Sequence, residues 1–436
     1  MDDPISFINA SPTPFHAVRE ARAHLTSQGF QPLREEDAWT LQPGGRYLVT
    51  RNDTSLAAFT LPVHSAQPPP LLLAAAHTDS PALKVKPNPL KRKKDHLLLD
   101  LAVYGSAILA TWFDRDLSLA GRIDYLDSAQ RLTHQLIDLT EPVTRIPNLA
   151  IHLNRTANDD TKINPHEELS APWLSIPCET GETDPARPFL ERLEQEIARQ
   201  DPHAMPIRIL GWDLSLYDTQ PATVAGVNRQ WIVGARLDNL LSVTAILAAL
   251  GRHDPTTPPG IAMAALFDHE EVGSLSMAGA TSNFLASLLG RIYPDPVTLA
   301  RAMPNSLLLS IDNAHGYHPN YPAKQDDNHT PQLNAGIVIK QHANQRYATS
   351  GATAARVKAL ALRAALPLQE FTVRADMACG STVGPTVAAQ LGIPTVDLGL
   401  PTWAMHSLRE TAGTTDWDHL VRLLAVFFTN GHEGRR

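Results

Sequence analysis

The sequence has only two cysteines, Cys178 and Cys379, in 436 residues. That is too few, and they lie too far apart, for a disulfide framework, which excludes a cysteine-stapled secreted scaffold and points to a reducing compartment. Neither is a candidate nucleophile. Excess positive charge is also missing. The formal net charge of -8 excludes a general polyanion binder, because nucleic-acid affinity rests on neutralising phosphates with Lys and Arg. No uninterrupted apolar run reaches the roughly 20 residues needed to span a bilayer, and the N-terminus lacks a charged-then-apolar signal pattern. The expectation is a cytoplasmic protein without nucleic-acid or membrane partners. Internal repeats and low-complexity tracts are absent as well.

What is present is ordinary globular sequence, 43% hydrophobic and 19% charged, long enough for two domains, one of them possible as an insertion in the other. One basic cluster, Lys84, Lys86, Lys91, Arg92, Lys93 and Lys94, reads as a solvated face or interface edge. The most informative stretch is Phe267-Asp268-His269-Glu270-Glu271-Val272-Gly273-Ser274. It follows the short apolar run Ile261 to Phe267, bounded by Pro258-Pro259-Gly260, which reads as a buried strand of a largely parallel sheet. Ligand crevices of open α/β sheets lie at strand carboxyl ends. Side chains leaving a strand point apart, so one acid of the pair could hold a metal while the other carries a proton. Two solvated loop acids are the plain alternative.

From Pro4 to Gly29 the pattern predicts a helix, a Pro-marked break and a second helix; short strands follow at Tyr47 to Arg51 and Leu56 to Leu61. Leu71 to Ala76 is a buried run ending in His77-Thr78-Asp79-Ser80-Pro81. Between about Pro87 and Val233 the texture changes to short strands such as Leu97 to Tyr104 and Gly121 to Tyr125. Polar and Pro-rich breaks interrupt them at Asn158 to Glu168 and Glu179 to Pro188, with one amphipathic helix over Phe189 to Gln200, as in an inserted β-rich domain. The strand-helix rhythm returns with a helix opened by Arg236-Leu237-Asp238-Asn239-Leu240, in which Asp238 could equally be a simple N-cap. Ser306 to Ile311 leads into Asp312-Asn313-Ala314-His315. Thr353 to Leu366 predicts a helix stopped by Pro367. Pro394 to Leu398 is a core strand leading to Met405-His406-Ser407, and Trp417 to Phe428 is a closing helix.

The strand ends thus offer His77 and Asp79, Asp238, Glu270 and Glu271, Asp312 with His315, and His406. Two histidines and three carboxylates drawn from this set suit a borderline metal such as zinc, cobalt or manganese, and the absence of thiolate argues against a structural zinc. Five ligands for two ions, one carboxylate bridging, leave room for a water.

The runs Ser11 to Val18, His77 to Pro81, Thr111-Trp112-Phe113-Asp114-Arg115-Asp116-Leu117, Arg236 to Leu240, Glu270 to Ser274, His318-Pro319-Asn320-Tyr321 and Met405 to Ser407 closely resemble the aspartyl aminopeptidase family, dinuclear zinc aminopeptidases of peptidase family M18, in order over nearly the whole chain. The resemblance implies an α/β fold: a mixed-sheet zinc-aminopeptidase domain sandwiched by helices (1-88 and 233-436), interrupted by an inserted β-rich dimerisation domain (89-232). It implies two divalent ions, zinc first with cobalt or manganese as alternatives, bridged by Asp238. His77 and Asp312 would complete one site, Glu271 and His406 the other. Glu270 would be general base and Asp79 would orient His77 through its second ring nitrogen. Lys340 matches a position facing the substrate's first side chain, where it would favour aspartate or glutamate. His315 and His152 match substrate contacts, His152 reaching a neighbouring subunit's site in a tetrahedral dodecamer. For these residues the plain alternatives are an exposed strand-end lysine and a strand histidine buried against its own domain.

The chain departs from the family pattern at Tyr104-Gly105-Ser106-Ala107, where many members read Tyr-Gly-Gly-Gly, and at His269, where Asn is common. Neither removes a ligand. A broader-specificity aminopeptidase, a metal-dependent amidase or deacylase, and an inactive assembly scaffold are the competing readings. Loss of Glu270 or a ligand would mark the last, and none is lost.

Overall fold

The computed structural model describes residues 3–64, 68–159, 162–175, 186–202, 204, 206–256 and 260–431. Cys178, Pro258, Pro259 and residues 179–185 of the second Pro-rich break lie outside the described residues. Two compact units emerge. The first comprises Met1–Ser80, Ala222–Met405 and Glu410–Arg436, the second Pro81–Pro221 with His406–Arg409. The sequence reading placed these transitions at 89 and 232.

The first unit is built on a nine-stranded mixed sheet. Its middle strands, Leu71–His77, Ile261–Phe267 and Leu307–Ile311, are buried at every residue. Strands buried on both faces carry continuous apolar sequence, which is why these runs do not alternate. Successive side chains feed opposite faces. Leu72, Ala74 and Ala76 join one core with the helices Pro4–Asn9, Pro14–Ser27, Leu237–Arg252, Gly351–Arg363 and Thr414–Asn430. Leu71, Leu73 and Ala75 join another with Phe284–Ile292 and Val383–Leu391. The sheet is thereby sandwiched by helices, each face removing large apolar side chains from water at about 1.5–3 kcal/mol apiece. Leu71–His77 runs parallel to both Ile261–Phe267 and Leu307–Ile311, so three carboxyl ends open on the same side. A five-stranded sheet carries Ala314–His315, Pro401–Trp403 and Glu410–Gly413.

In the second unit, six strands pair antiparallel throughout their ladders. The helix Arg187–Gln200 buries Phe189, Leu193 and Ile197, and Phe189 meets the rings of Trp173 and Trp212 edge-on at 5.4 and 5.6 Å. The basic cluster lies on or just beyond the strand Ala82–Lys93, where Lys86 and Lys91 share Asp100 at 3.0 and 3.3 Å.

Candidate active site

His77 closes its strand directly beside Phe267 in parallel register, and the Thr78 amide donates to the Phe267 carbonyl at 2.8 Å. The two acids do not leave the strand as adjacent, opposed side chains. Asp268 follows the strand, His269 turns the backbone at φ 63°, and Glu270–Val272 form one 3-10 turn ended by Gly273 at φ 95°. Asp79, itself buried, holds that turn: its Oδ1 accepts from the Glu270 amide and its Oδ2 from the Glu271 amide, both at 3.1 Å. His77 Nδ1 donates to the Asp79 main-chain carbonyl at 3.0 Å, with the Asp79 carboxylate farther off at 3.4 Å. Asp79 therefore faces His77 with both its carbonyl and, at longer range, its carboxylate, which also holds the glutamate pair.

With Nδ1 donating, His77 turns Nε2 toward Asp238 Oδ1 at 3.5 Å and Asp312 Oδ1 at 3.6 Å. Ligand atoms of His77, Asp238 and Glu271 lie within 4.8 Å of one another. The first two distances are long for hydrogen bonds. They match the roughly 3.3–3.6 Å between ligands that each stand about 2.0–2.2 Å from a tetrahedral ion. Burial alone would disfavour a charged His77, yet the carboxylates of Asp238, Asp312 and Asp79 prevail and hold it well above its ordinary pKa. A cluster that favours positive charge so strongly, built from imidazole and carboxylate, fits a borderline divalent metal. Glu270 sits in the same field. Burial pushes it up; His77 opposes this, Asp312, Glu271 and Asp79 add to it, and the outcome is a pKa of about 8.

Asp238 sits at a kink where its helix opens: it follows Arg236 at φ 61°, has non-helical backbone (ψ 105°) and precedes a cis peptide to Asn239, so the regular helix begins beyond the pair. Its amide donates to Glu410 Oε2 at 3.0 Å, and its carbonyl accepts from Ser80 Oγ at 2.7 Å. Asp312 continues Leu307–Ile311, its amide on the Leu398 carbonyl at 2.9 Å. Its own carbonyl lies against Gly399, where a Cβ would come to 1.8 Å. Lys340 is no exposed strand-end lysine. It is 1% exposed, with Nζ 3.4 Å from Asp312 Oδ2 and 3.2 Å from the Asn313 carbonyl.

The first unit therefore gathers His77, Asp79, Asp238, Glu270, Glu271, Asp312 and Lys340. His406 belongs to the second unit, at φ 69°, with Nδ1 on the Ser106 carbonyl at 3.0 Å, the bond that would free Nε2 as a ligand. Since Ser106 contributes its main chain, replacing the family's glycine there leaves the contact intact. His315 lines a cavity of about 400 Å³ with His318, Tyr321, Phe371, Met377 and Trp403. His152 lies in an exposed turn of the second unit beside exposed Leu149, Ile151 and Leu153, neither in a strand nor buried. Sequence reasoning missed Glu410 and Asp397. For Asp397 a signal existed, a charge inside the core strand Thr395–Gly399; for Glu410 none did.

An imidazole–carboxylate cluster at the strand ends of a helix-covered sheet is the kind of site that metal-dependent hydrolases use. Residues 7–428 match the family described as Aminopeptidase I zinc metalloprotease (M18), and the chain belongs to that family of peptide-hydrolysing enzymes. It is 48% identical over 427 residues to the "Probable M18 family aminopeptidase 2" of Ectopseudomonas mendocina (strain ymp), covering 98% of this chain and 97% of the relative. Among solved structures, that of the Ape4 and Nbr1 complex superposes with a TM-score of 0.95 at 37% identity, covering 98% of this chain and 85% of the other. The S. cerevisiae mApe1 dodecamer superposes at 0.85 with 28% identity, covering 98% and 96%. Among the described residues no helix is long and apolar enough to cross a membrane.

Proposed function

We propose that this M18 enzyme is a dinuclear, metal-dependent aminopeptidase that removes N-terminal residues, preferably aspartate or glutamate, from peptides. The observation that carries the reading is His77 Nε2 facing Asp238 Oδ1 and Asp312 Oδ1 at 3.5 and 3.6 Å, with Glu270 and Glu271 beside them. Asp238 would bridge two ions, His77 and Asp312 completing one site and Glu271 and His406 the other. Two divalent ions, zinc foremost and cobalt or manganese as alternatives, would supply a more acidic water and a polarised scissile carbonyl. Glu270 takes a proton from the attacking water and returns it to the departing amine, work for which its place beside His77, Asp312 and Glu271 suits it. Asp79 fixes the backbone of both glutamates, so the base and the ligand keep their separate aims. The charge of Lys340 supports acceptance of an acidic first side chain, and His315 on the cavity wall is placed to meet substrate. The exposed turn at His152 supports its contributing to the site of a second copy within a homo-oligomer, which we take to be a tetrahedral dodecamer in the cytoplasm.

A panel of single-residue chromogenic amides, assayed with added zinc, cobalt or manganese, tests the reading. Aspartyl and glutamyl amides should be cleaved fastest. Equal or faster cleavage of leucyl and alanyl amides would make it a broad aminopeptidase, and cleavage of acylated amines alone would make it a deacylase.

A further inference from the structure

A lysine with no solvent around its charge is held where its neighbours put it. Lys340 ends the strand Ile337–Lys340, whose antiparallel register with Thr395–Gly399 sets it opposite Asp397. Cross-strand partners share a face, with Cβ atoms about 5 Å apart. Asp397 is fully buried and already engaged: Oδ1 accepts the Thr382 hydroxyl at 2.5 Å and Oδ2 the Ala348 amide at 2.6 Å. The Lys340 ammonium stands 5.1 Å from the Tyr347 ring centroid and donates to the Asn313 carbonyl. Its remaining partner is Asp312 Oδ2 at 3.4 Å, while Asp312 Oδ1 points the other way, toward His77 Nε2. The two oxygens of one candidate ligand are thus divided between a fixed cation and the metal cluster.

We propose that Lys340 is a positioning residue of the metal centre: its ammonium holds Asp312 Oδ2, so that the carboxylate offers Oδ1 alone to a divalent cation. This rests on the dinuclear reading above and adds to any role Lys340 has toward substrate. Two physical effects oppose each other here. An ammonium close to a cation repels it, so removing Lys340 would tighten metal binding if charge were all that mattered. A carboxylate left free to rotate binds more weakly, because fixing it in the binding orientation then costs conformational entropy. The sign of the change separates the two.

The test is zinc affinity of the full-length protein, by chelator competition and metal analysis, without substrate. In Lys340→Met one of the two ions should be held about 10- to 100-fold more weakly, the usual effect of removing a group that orients a ligand. In Lys340→Gln, whose amide can still donate to Asp312 and Asn313, the loss should be about tenfold or less but present. If the Met variant does not fold, the Gln variant decides. Wild-type or tighter zinc affinity in either folded variant overturns the proposal. The aspartyl-to-leucyl rate ratio reports on the substrate reading separately. A wild-type enzyme inactive on every aminoacyl amide would remove the proposed function and leave the metal comparison standing.

Discussion

Glu270 and Glu271 are neighbours with one anchor, since a single carboxylate, Asp79, holds both their amides. The separate roles proposed for them therefore rest on where the 3-10 turn aims each side chain. Glu270→Gln should keep the bound metal and lose about 10²-fold or more in turnover, whereas Glu271→Gln should lose metal. Metal analysis of the two variants beside their turnover numbers checks this, and the reverse pattern would exchange their roles. Much of this cluster was legible in the sequence because polar residues that follow a buried strand have to emerge at its end: His77, Glu270, Glu271 and Asp312 each follow such a run closely. Which atom serves which partner was not legible. The Asp79 side chain, the Glu410 carboxylate on the Asp238 amide and the burial of Lys340 are set by contacts between residues far apart in sequence. His269 shows what a local rule can supply: at φ 63° the backbone occupies the left-handed region, where Asn and His are both enriched, so the exchange for the family's Asn keeps the turn.

The elements themselves were readable where burial makes the pattern simple. Strands covered on both faces had to be continuous apolar runs, and those boundaries fall within a residue or two of the expected ones. The helix expected to run to Leu366 ends at Arg363, because the chain turns at Ala365 (φ 50°) before Pro367 is reached. Pro14–Ser27 carries a further consequence of burial. His16, 1% exposed, bonds Thr13 Oγ1 through Nδ1 at 2.8 Å, and desolvation, helped by Arg19 and Arg236, lowers its pKa to about 3. The folded state keeps it neutral while the unfolded chain protonates it near 6.5. Stability from this group is therefore complete above that value and falls as pH drops from about 6.5 toward 3, by about 2 kcal/mol at pH 5. Urea unfolding at pH 7.5 and pH 5 should show a smaller acid-induced loss for His16→Gln than for the wild type. Equal losses would mean that His16 is protonated in the fold.

At the scale of the molecule, the chain leaves its first unit at Ser80, re-enters at Ala222 and gives only His406–Arg409 back to the second. In the sequence the change from strand-helix rhythm to short, interrupted strands led to an expected insertion over 89-232. The four-residue return has no compositional mark and appears only in the fold. Assembly gives the proposed role of His152 its test. His152→Ala and Glu270→Gln subunits, each inactive alone, should regain activity when co-assembled, because some sites would then pair an intact Glu270 with an intact His152 from another copy. A donor aimed at developing oxyanion charge is worth about 2.7–4 kcal/mol, enough for the rescue to be plain. Mixed assemblies that stay inactive would confine His152 to its own subunit.

The central claim is that the carboxylate–imidazole cluster works only as a metal centre. Hydrolysis of an aspartyl amide, followed with a count of bound ions while a chelator strips them and zinc is returned, tests it most directly. The account predicts that activity disappears with the ions and returns as two per subunit are restored; full hydrolysis by metal-free protein would contradict it.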